Sequence, residues 1–262
     1  MLRWTHVVES LTFYFPSRAA FLTPAMAEDV EFAASDGTKL HGWFVRARGA
    51  APGEVRPAIL HAHGNAGNIA DHIAFSEHLA DAGFHVFIFD YRGYGRSAPT
   101  RLLTREDLLR DTDAAMDALL ARGDVDRERI GVYGVSLGGA PALALASRRP
   151  IAKAVCTVSA FASFPKIAGD VLPGLGQLLI PSGMSNIDAA ERLSAPYLIV
   201  HGSADEIISA KHAGLLEDAA KRGKVDVTRV MIDGGDHNGI MDHAAAREAT
   251  IAFFREHLVR VP

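Results

Sequence analysis

Apolar and polar positions along this 262-residue chain change rhythm once. Val30-Glu31-Phe32-Ala33-Ala34 alternates, Ser35-Asp36-Gly37-Thr38 supplies an Asp-Gly turn, and Lys39 to Ala47 leads back, which predicts an antiparallel β-hairpin. A Gly/Ala/Pro-rich loop spans residues 48–56. Beyond it, short apolar runs fall at Ala58–Ala62, His85–Phe89, Ile130–Val135, Ala154–Ser159, Tyr197–Val200 and Val227–Ile232. They lack polar alternation, as strands buried on both faces of a parallel sheet do. Helical periodicity lies between them, at Ile69–Ala82, Arg105–Ala121, Leu137–Ser147, Ala210–Lys221 and Gly239–Leu258. Such alternation predicts an α/β fold: one mostly parallel, doubly wound central sheet flanked by helices, fed by the antiparallel N-terminal hairpin.

One stretch breaks the rhythm. Residues 160–186 are apolar but interrupted by Gly, Pro and Ser. Phe161, Phe164, Ile167, Val171, Leu172 and Leu175 make the stretch too apolar for disorder, and an insertion of this length is usually functional. It is expected to form a small cap over the C-terminal edge of the sheet. No repeat or linker divides the chain, so residues 1–262 are expected to be a single domain carrying this insertion.

Composition narrows the function classes. Hydrophobic residues make up 48% of the chain, enough for a large core, and the charge is nearly balanced at −4. No basic stripe points to nucleic acid. The lone cysteine, Cys156, lies in an apolar run and is expected to be a small buried hydrophobe. No run approaches the roughly 20 apolar residues of a membrane span. Ala25-Met26-Ala27 resembles a signal-cleavage triplet, but Glu9 and Pro16 interrupt the stretch before it. The expected location is the cytoplasm. Export and peripheral membrane contact through the aromatic Leu11–Phe15 segment are the alternatives.

The candidate chemistry centres on Gly134-Val135-Ser136-Leu137-Gly138, between a β-branched run and an Ala/Leu helix. Such a strand–turn–helix, with glycine beside the serine, lifts a hydroxyl clear of its backbone at a helix N-terminus, where developing negative charge is favoured. A bare Gly-x-Ser-x-Gly also occurs as a turn with a serine N-cap, so the context decides. A serine nucleophile needs a base, and the base needs an acid to fix its tautomer. Two further loops after strands carry them: Asp205 within His201–Glu206, and His237 within Asp233–Gly239. Glu206, Asp233 and Asp236 compete for the acid role; the two aspartates beside His237 suit turn and capping roles, and His243 falls inside the last predicted helix. The backbone amides of Leu137 and Asn65 are the expected oxyanion donors, with Ala66 the fallback for Asn65. A metal site at His61, His63, Asp71 and His72 is the competing arrangement, but its ligand set is incomplete and leaves Ser136 unexplained.

In order along the chain stand His63-Gly64-Asn65-Ala66-Gly67-Asn68, Asp90-Tyr91-Arg92-Gly93-Tyr94-Gly95-Arg96-Ser97, Gly134–Gly139, His201–Asp205 and Gly235-Asp236-His237-Asn238. Together these resemble the α/β-hydrolase superfamily, and within it the ABHD-type serine hydrolases; Phe15-Pro16-Ser17-Arg18 is similar to the lead-in of that group. The resemblance covers residues 10–258. It implies the α/β-hydrolase fold, a Ser136–Asp205–His237 triad, no cofactor and no metal. Many members begin with a membrane-anchor helix, which does not read in this sequence. Pro141, early in the helix after the serine, is expected to cost one backbone bond and to be tolerated locally.

The expected activity is hydrolysis of a carboxylic ester or thioester, with a hydrophobic acyl substrate as the small-molecule partner. An aminopeptidase or amidase of the same fold is one alternative. A non-catalytic binder of a hydrophobic ligand is the other.

Overall fold

The computed structural model describes residues 4–180 and 183–259, without the side chains of residues 4–6, 178 and 179. Pro181 and Ser182 of the expected cap lie outside the described residues. Eight strands form one sheet in the order β1-β2-β4-β3-β5-β6-β7-β8. They are β1 (Ala27–Ala33), β2 (Lys39–Val45), β3 (Arg56–Ala62), β4 (His85–Asp90), β5 (Val125–Val135), β6 (Ala152–Val158), β7 (Tyr197–Gly202) and β8 (Val227–Ile232). The β1–β2 and β2–β4 pairings are antiparallel; all others are parallel. The mostly parallel sheet and its hairpin are those predicted.

Successive residues of the inner strands feed opposite core layers, as the pleat requires. Along β4, Phe87 and Phe89 pack with the layer that includes Leu108, Met116 and Leu143, while Val86 and Ile88 pack with Phe253 and Phe254. The first layer rests on α4 (Arg105–Leu120), α5 (Gly139–Arg148) and α9 (Lys211–Arg222). The second rests on α10 (Ala244–Leu258). Cys156 is fully buried in the second layer, and burial pushes its thiol pKa up. Arg92 and Arg96 act as braces: Arg92 reaches Asp111 at 2.6 Å, Asp36 at 2.8 Å and Asp107 at 3.0 Å, and Arg96 reaches Asp29 at 2.8 Å.

Three expectations are corrected. The periodic stretch 69–82 is not one helix but α2 (Ile69–His72), a 3-10 turn, and α3 (Glu77–Asp81). The break falls at Ser76, whose buried hydroxyl lies 2.9 Å from His61 Nδ1 and 3.3 Å from the Ile73 carbonyl. An inward serine that bonds the backbone competes with the helix ladder. The last helix begins at Ala244, and His243 precedes it with extended backbone (ψ 123°). Pro141 is the third residue of α5, in the first turn, where a missing N–H removes no ladder bond.

The chain also forms elements that the periodicity left unassigned. The leading segment is α1 (Trp4–Phe13). The 160–186 stretch folds into α6 (Phe164–Val171) and α7 (Gly176–Leu179), followed by α8 (Asn186–Glu191). Among the described residues no helix is long and apolar enough to cross a membrane.

Burial holds the imidazoles of His61, His63, His72, His78, His85, His201 and His212 below their ordinary pKa, His78 at about 4. The unfolded chain therefore takes up protons below pH ~6.5 that the folded chain refuses, and stability falls as pH falls. The thermal midpoint is expected to drop steadily from pH 7 to pH 5 in scanning calorimetry. A flat profile would contradict neutral burial of these rings.

Candidate active site

The C-terminal ends of β3, β5, β7 and β8 bring the predicted residues to one edge of the sheet. Ser136 follows β5 directly, at φ +51°. For a serine this left-handed conformation costs about 1–2 kcal/mol, so its surroundings must hold it. They do so by proximity. A Cβ at Gly138 would lie 1.9 Å from the Ala62 carbonyl oxygen, and one at Gly134 would lie 2.6 Å from the Gly138 carbonyl oxygen. Only glycine lets the turn approach β3 this closely.

His237 Nε2 lies 3.0 Å from Ser136 Oγ, and His237 Nδ1 lies 2.8 Å from Asp205 Oδ2. The loops carrying Asp205 and His237 are tied together, because the Ser203 N–H donates to the Ile232 carbonyl at 2.9 Å and the Ala204 N–H to the Gly235 carbonyl at 3.0 Å. Asp205 is buried, and its other oxygen accepts from the Ile207 and Ile208 amides at 3.0 and 2.7 Å. Burial alone would raise this carboxyl pKa. The hydrogen bonds from His237 and the Ile208 amide, with the neighbouring imidazoles, outweigh that and hold it below the usual carboxylate range.

The competing acids lie elsewhere. Glu206 is exposed, Asp233 accepts from Ser203 Oγ at 3.3 Å, and Asp236 holds the next turn through the Asn238 and Gly239 amides. The competing metal set is turned to other partners. His61 contacts Ser76, His63 Nδ1 donates to the Gly64 carbonyl, Asp71 caps α2, and His72 Nε2 donates to the Ala66 carbonyl at 2.9 Å. Among the described residues no three His, Cys, Asp or Glu side chains gather as a metal site.

Asn65 and Leu137 line the same cavity as Ser136 and His237. The Asn65 side chain is itself clamped: its Oδ1 accepts from the Tyr94 hydroxyl at 2.9 Å and from the Phe15 amide at 3.0 Å. The loop rests on aromatic rings, with His63 stacked on His72 at 5.0 Å and tilted against Tyr91 at 4.6 Å. Behind the acid, His201 Nε2 donates to the Ile208 carbonyl at 2.8 Å and lies 3.4 Å from Asp205 Oδ2. Tyr94 and His201 both sit inside motifs read from the sequence, yet nothing there separates a residue that positions a loop from one that fills space.

The cavity above Ser136 encloses about 620 Å³. Phe161, Ile167, Val171, Leu172 and Ile180, all from the 160–186 stretch, line it together with Ile207 and Phe75. A largely apolar chamber of this size with a few convergent polar groups suits a small organic ligand.

The uncharacterized protein YfhR of Escherichia coli K12 is 36% identical over 250 residues, covering 94% of this chain and 84% of its own. The α/β-hydrolase domain-containing protein WAV2 of Arabidopsis thaliana is 31% identical over 241 residues, 84% of this chain and 77% of its own. This chain belongs to the α/β-hydrolase superfamily. Its ABHD-type features fit that membership, and the family model for serine aminopeptidase S33 matches residues 53–180 of the hydrolase. Solved structures agree on the fold. A Pyrococcus furiosus esterase superposes with a TM-score of 0.76 at 19% identity, over 95% of this chain and 99% of that one. A Pyrococcus horikoshii acylaminoacyl peptidase gives 0.71 at 17% identity, over 90% of this chain and 42% of that one.

Because the Gly138 contact is with backbone on both sides, neither partner can yield cheaply. Gly138→Ala in this hydrolase is expected to destabilise it by about 3 kcal/mol or more, at the upper end of overpacking effects. Urea titration measures this. A loss under about 1 kcal/mol would mean that the turn and β3 can separate.

Proposed function

We propose that this hydrolase cleaves carboxylic esters or thioesters of apolar acids through a covalent acyl-enzyme. The observation that carries the reading is the hydrogen-bonded series from Asp205 through His237 to Ser136, ending on an apolar cavity. Ser136 Oγ attacks the acyl carbon as His237 Nε2 takes its proton. Asp205 holds the Nδ1–H tautomer and balances the imidazolium charge. The Leu137 and Asn65 amides receive the oxyanion. Collapse expels the alcohol or thiol, which leaves with the proton from His237. Water then gives a proton to the same nitrogen, attacks the acyl carbon, and releases the acid as the proton returns to Ser136. No step requires a cofactor.

Peptide or amide cleavage is the second reading, supported by the aminopeptidase description of the matched family. Against it stands the charge of the cap. Asp170 is the one carboxylate between residues 160 and 185. It is paired with Lys211 and with His212 Nε2 at 2.8 Å, which leaves no free cap carboxylate for a substrate's ammonium group.

A panel of p-nitrophenyl acyl esters, acyl thioesters and aminoacyl anilides, run on the wild type and Ser136→Ala, tests both readings. The ester and thioester rates are expected to exceed the anilide rates. Ser136→Ala is expected to lose roughly four to six orders of magnitude in kcat and all fluorophosphonate labelling. Anilides turned over faster than esters would favour the peptidase. Folded wild-type protein that neither labels nor turns over any substrate would leave a non-catalytic binder.

A further inference from the structure

We propose that the N-terminal helix α1, and not the cap alone, sets the length of acyl chain that the site accepts. Val8, Thr12 and Phe13 of α1 line the cavity together with residues of the 160–186 stretch. The helix is anchored like a wall. Glu9 is buried, with its carboxylate accepting from the Tyr14 hydroxyl at 2.7 Å and the Arg105 amide at 3.2 Å and pairing with the Arg105 guanidinium at 2.8 Å. A buried carboxylate so fully partnered holds its helix in one position, since displacing it would strand the charge. Ser10 Oγ accepts from the Leu103 amide at 3.0 Å. The Phe13 ring meets Phe164 of the cap edge-on at 5.3 Å, and the Arg105 guanidinium lies 4.6 Å over the Phe164 ring. Helix, cap and the start of α4 therefore meet at one cluster.

The segment after the helix fixes this wall relative to Ser136. Two residues beyond Phe13, the Phe15 amide donates to Asn65 Oδ1 in the loop beside the nucleophile. The Ser17 amide then donates to the Gly67 carbonyl at 3.0 Å, and the Gly95 amide to the Ser17 carbonyl at 2.9 Å. A wall tied at both ends measures the substrate, because an acyl chain that outgrows the cavity must displace partnered groups rather than a loose tail.

The proposal rests on the serine-hydrolase reading above, and its test separates the two. Wild type, Phe13→Ala and Thr12→Phe are assayed with p-nitrophenyl butyrate and decanoate, and each protein is labelled with fluorophosphonate. Phe13→Ala opens the chamber and is expected to raise the decanoate-to-butyrate ratio of kcat/KM about tenfold. Thr12→Phe occupies it and is expected to lower that ratio by about the same factor. Thr12 is an exposed helix position, so its variant decides the matter if Phe13→Ala does not fold. Ratios unchanged, or moved the other way, in proteins that label at Ser136 would overturn the role of α1 and leave the hydrolase reading standing. A wild type that neither labels nor hydrolyses butyrate would remove the reading beneath it.

Discussion

The site depends on one close contact: the turn after β5 lies so near the end of β3 that residue 138 has no room for a side chain. That contact holds Ser136 in a left-handed backbone which it would leave if the turn could relax. It also fixes Ser136 against the chain leading into Gly64 and Asn65, because the carbonyls that crowd Gly138 belong to Ala62 and His63. Ser136 and the candidate oxyanion loop are therefore two parts of one packed unit. Such a unit supplies preorganisation, in which donors wait where charge will develop rather than turning to meet it.

Asp205 and His237 come from a second unit, the paired loops after β7 and β8. Their backbone bonds set the 2.8 Å contact between Asp205 and His237 before any substrate arrives. A carboxylate buried without donors would take up a proton. Two amides and an imidazole keep Asp205 charged, and that charge is what an imidazolium beside it needs. His201 adds a buried ring 3.4 Å from the carboxylate, its pKa lowered by burial.

What the sequence disclosed follows from the range of its signals. Doubly buried strands announce themselves by apolar runs, so the parallel strands were legible to within a few residues. The elbow, the two loops and their order were legible because each pairs a strand end with glycine and one chemically distinctive residue. Long-range partners left no such mark. Ser76 breaks a periodic helix because of a contact with His61, fifteen residues away. Tyr94 clamps Asn65 across twenty-nine residues. The helix at Trp4–Phe13 reads in sequence as an aromatic lead-in, because its anchors, Arg105 and Phe164, arrive from far along the chain. Periodicity alone does not show that His243 is the extended residue before the last helix and not part of it.

In the proposed mechanism, the hydroxyl held by this turn carries the acyl group during turnover. Acid quench within the first turnovers of a p-nitrophenyl ester, followed by peptide mass spectrometry, reads that directly. The acyl mass is expected on the peptide containing Ser136, reached in step with a burst of nitrophenol. Turnover with no acyl peptide, or with the acyl group on another side chain, would contradict it.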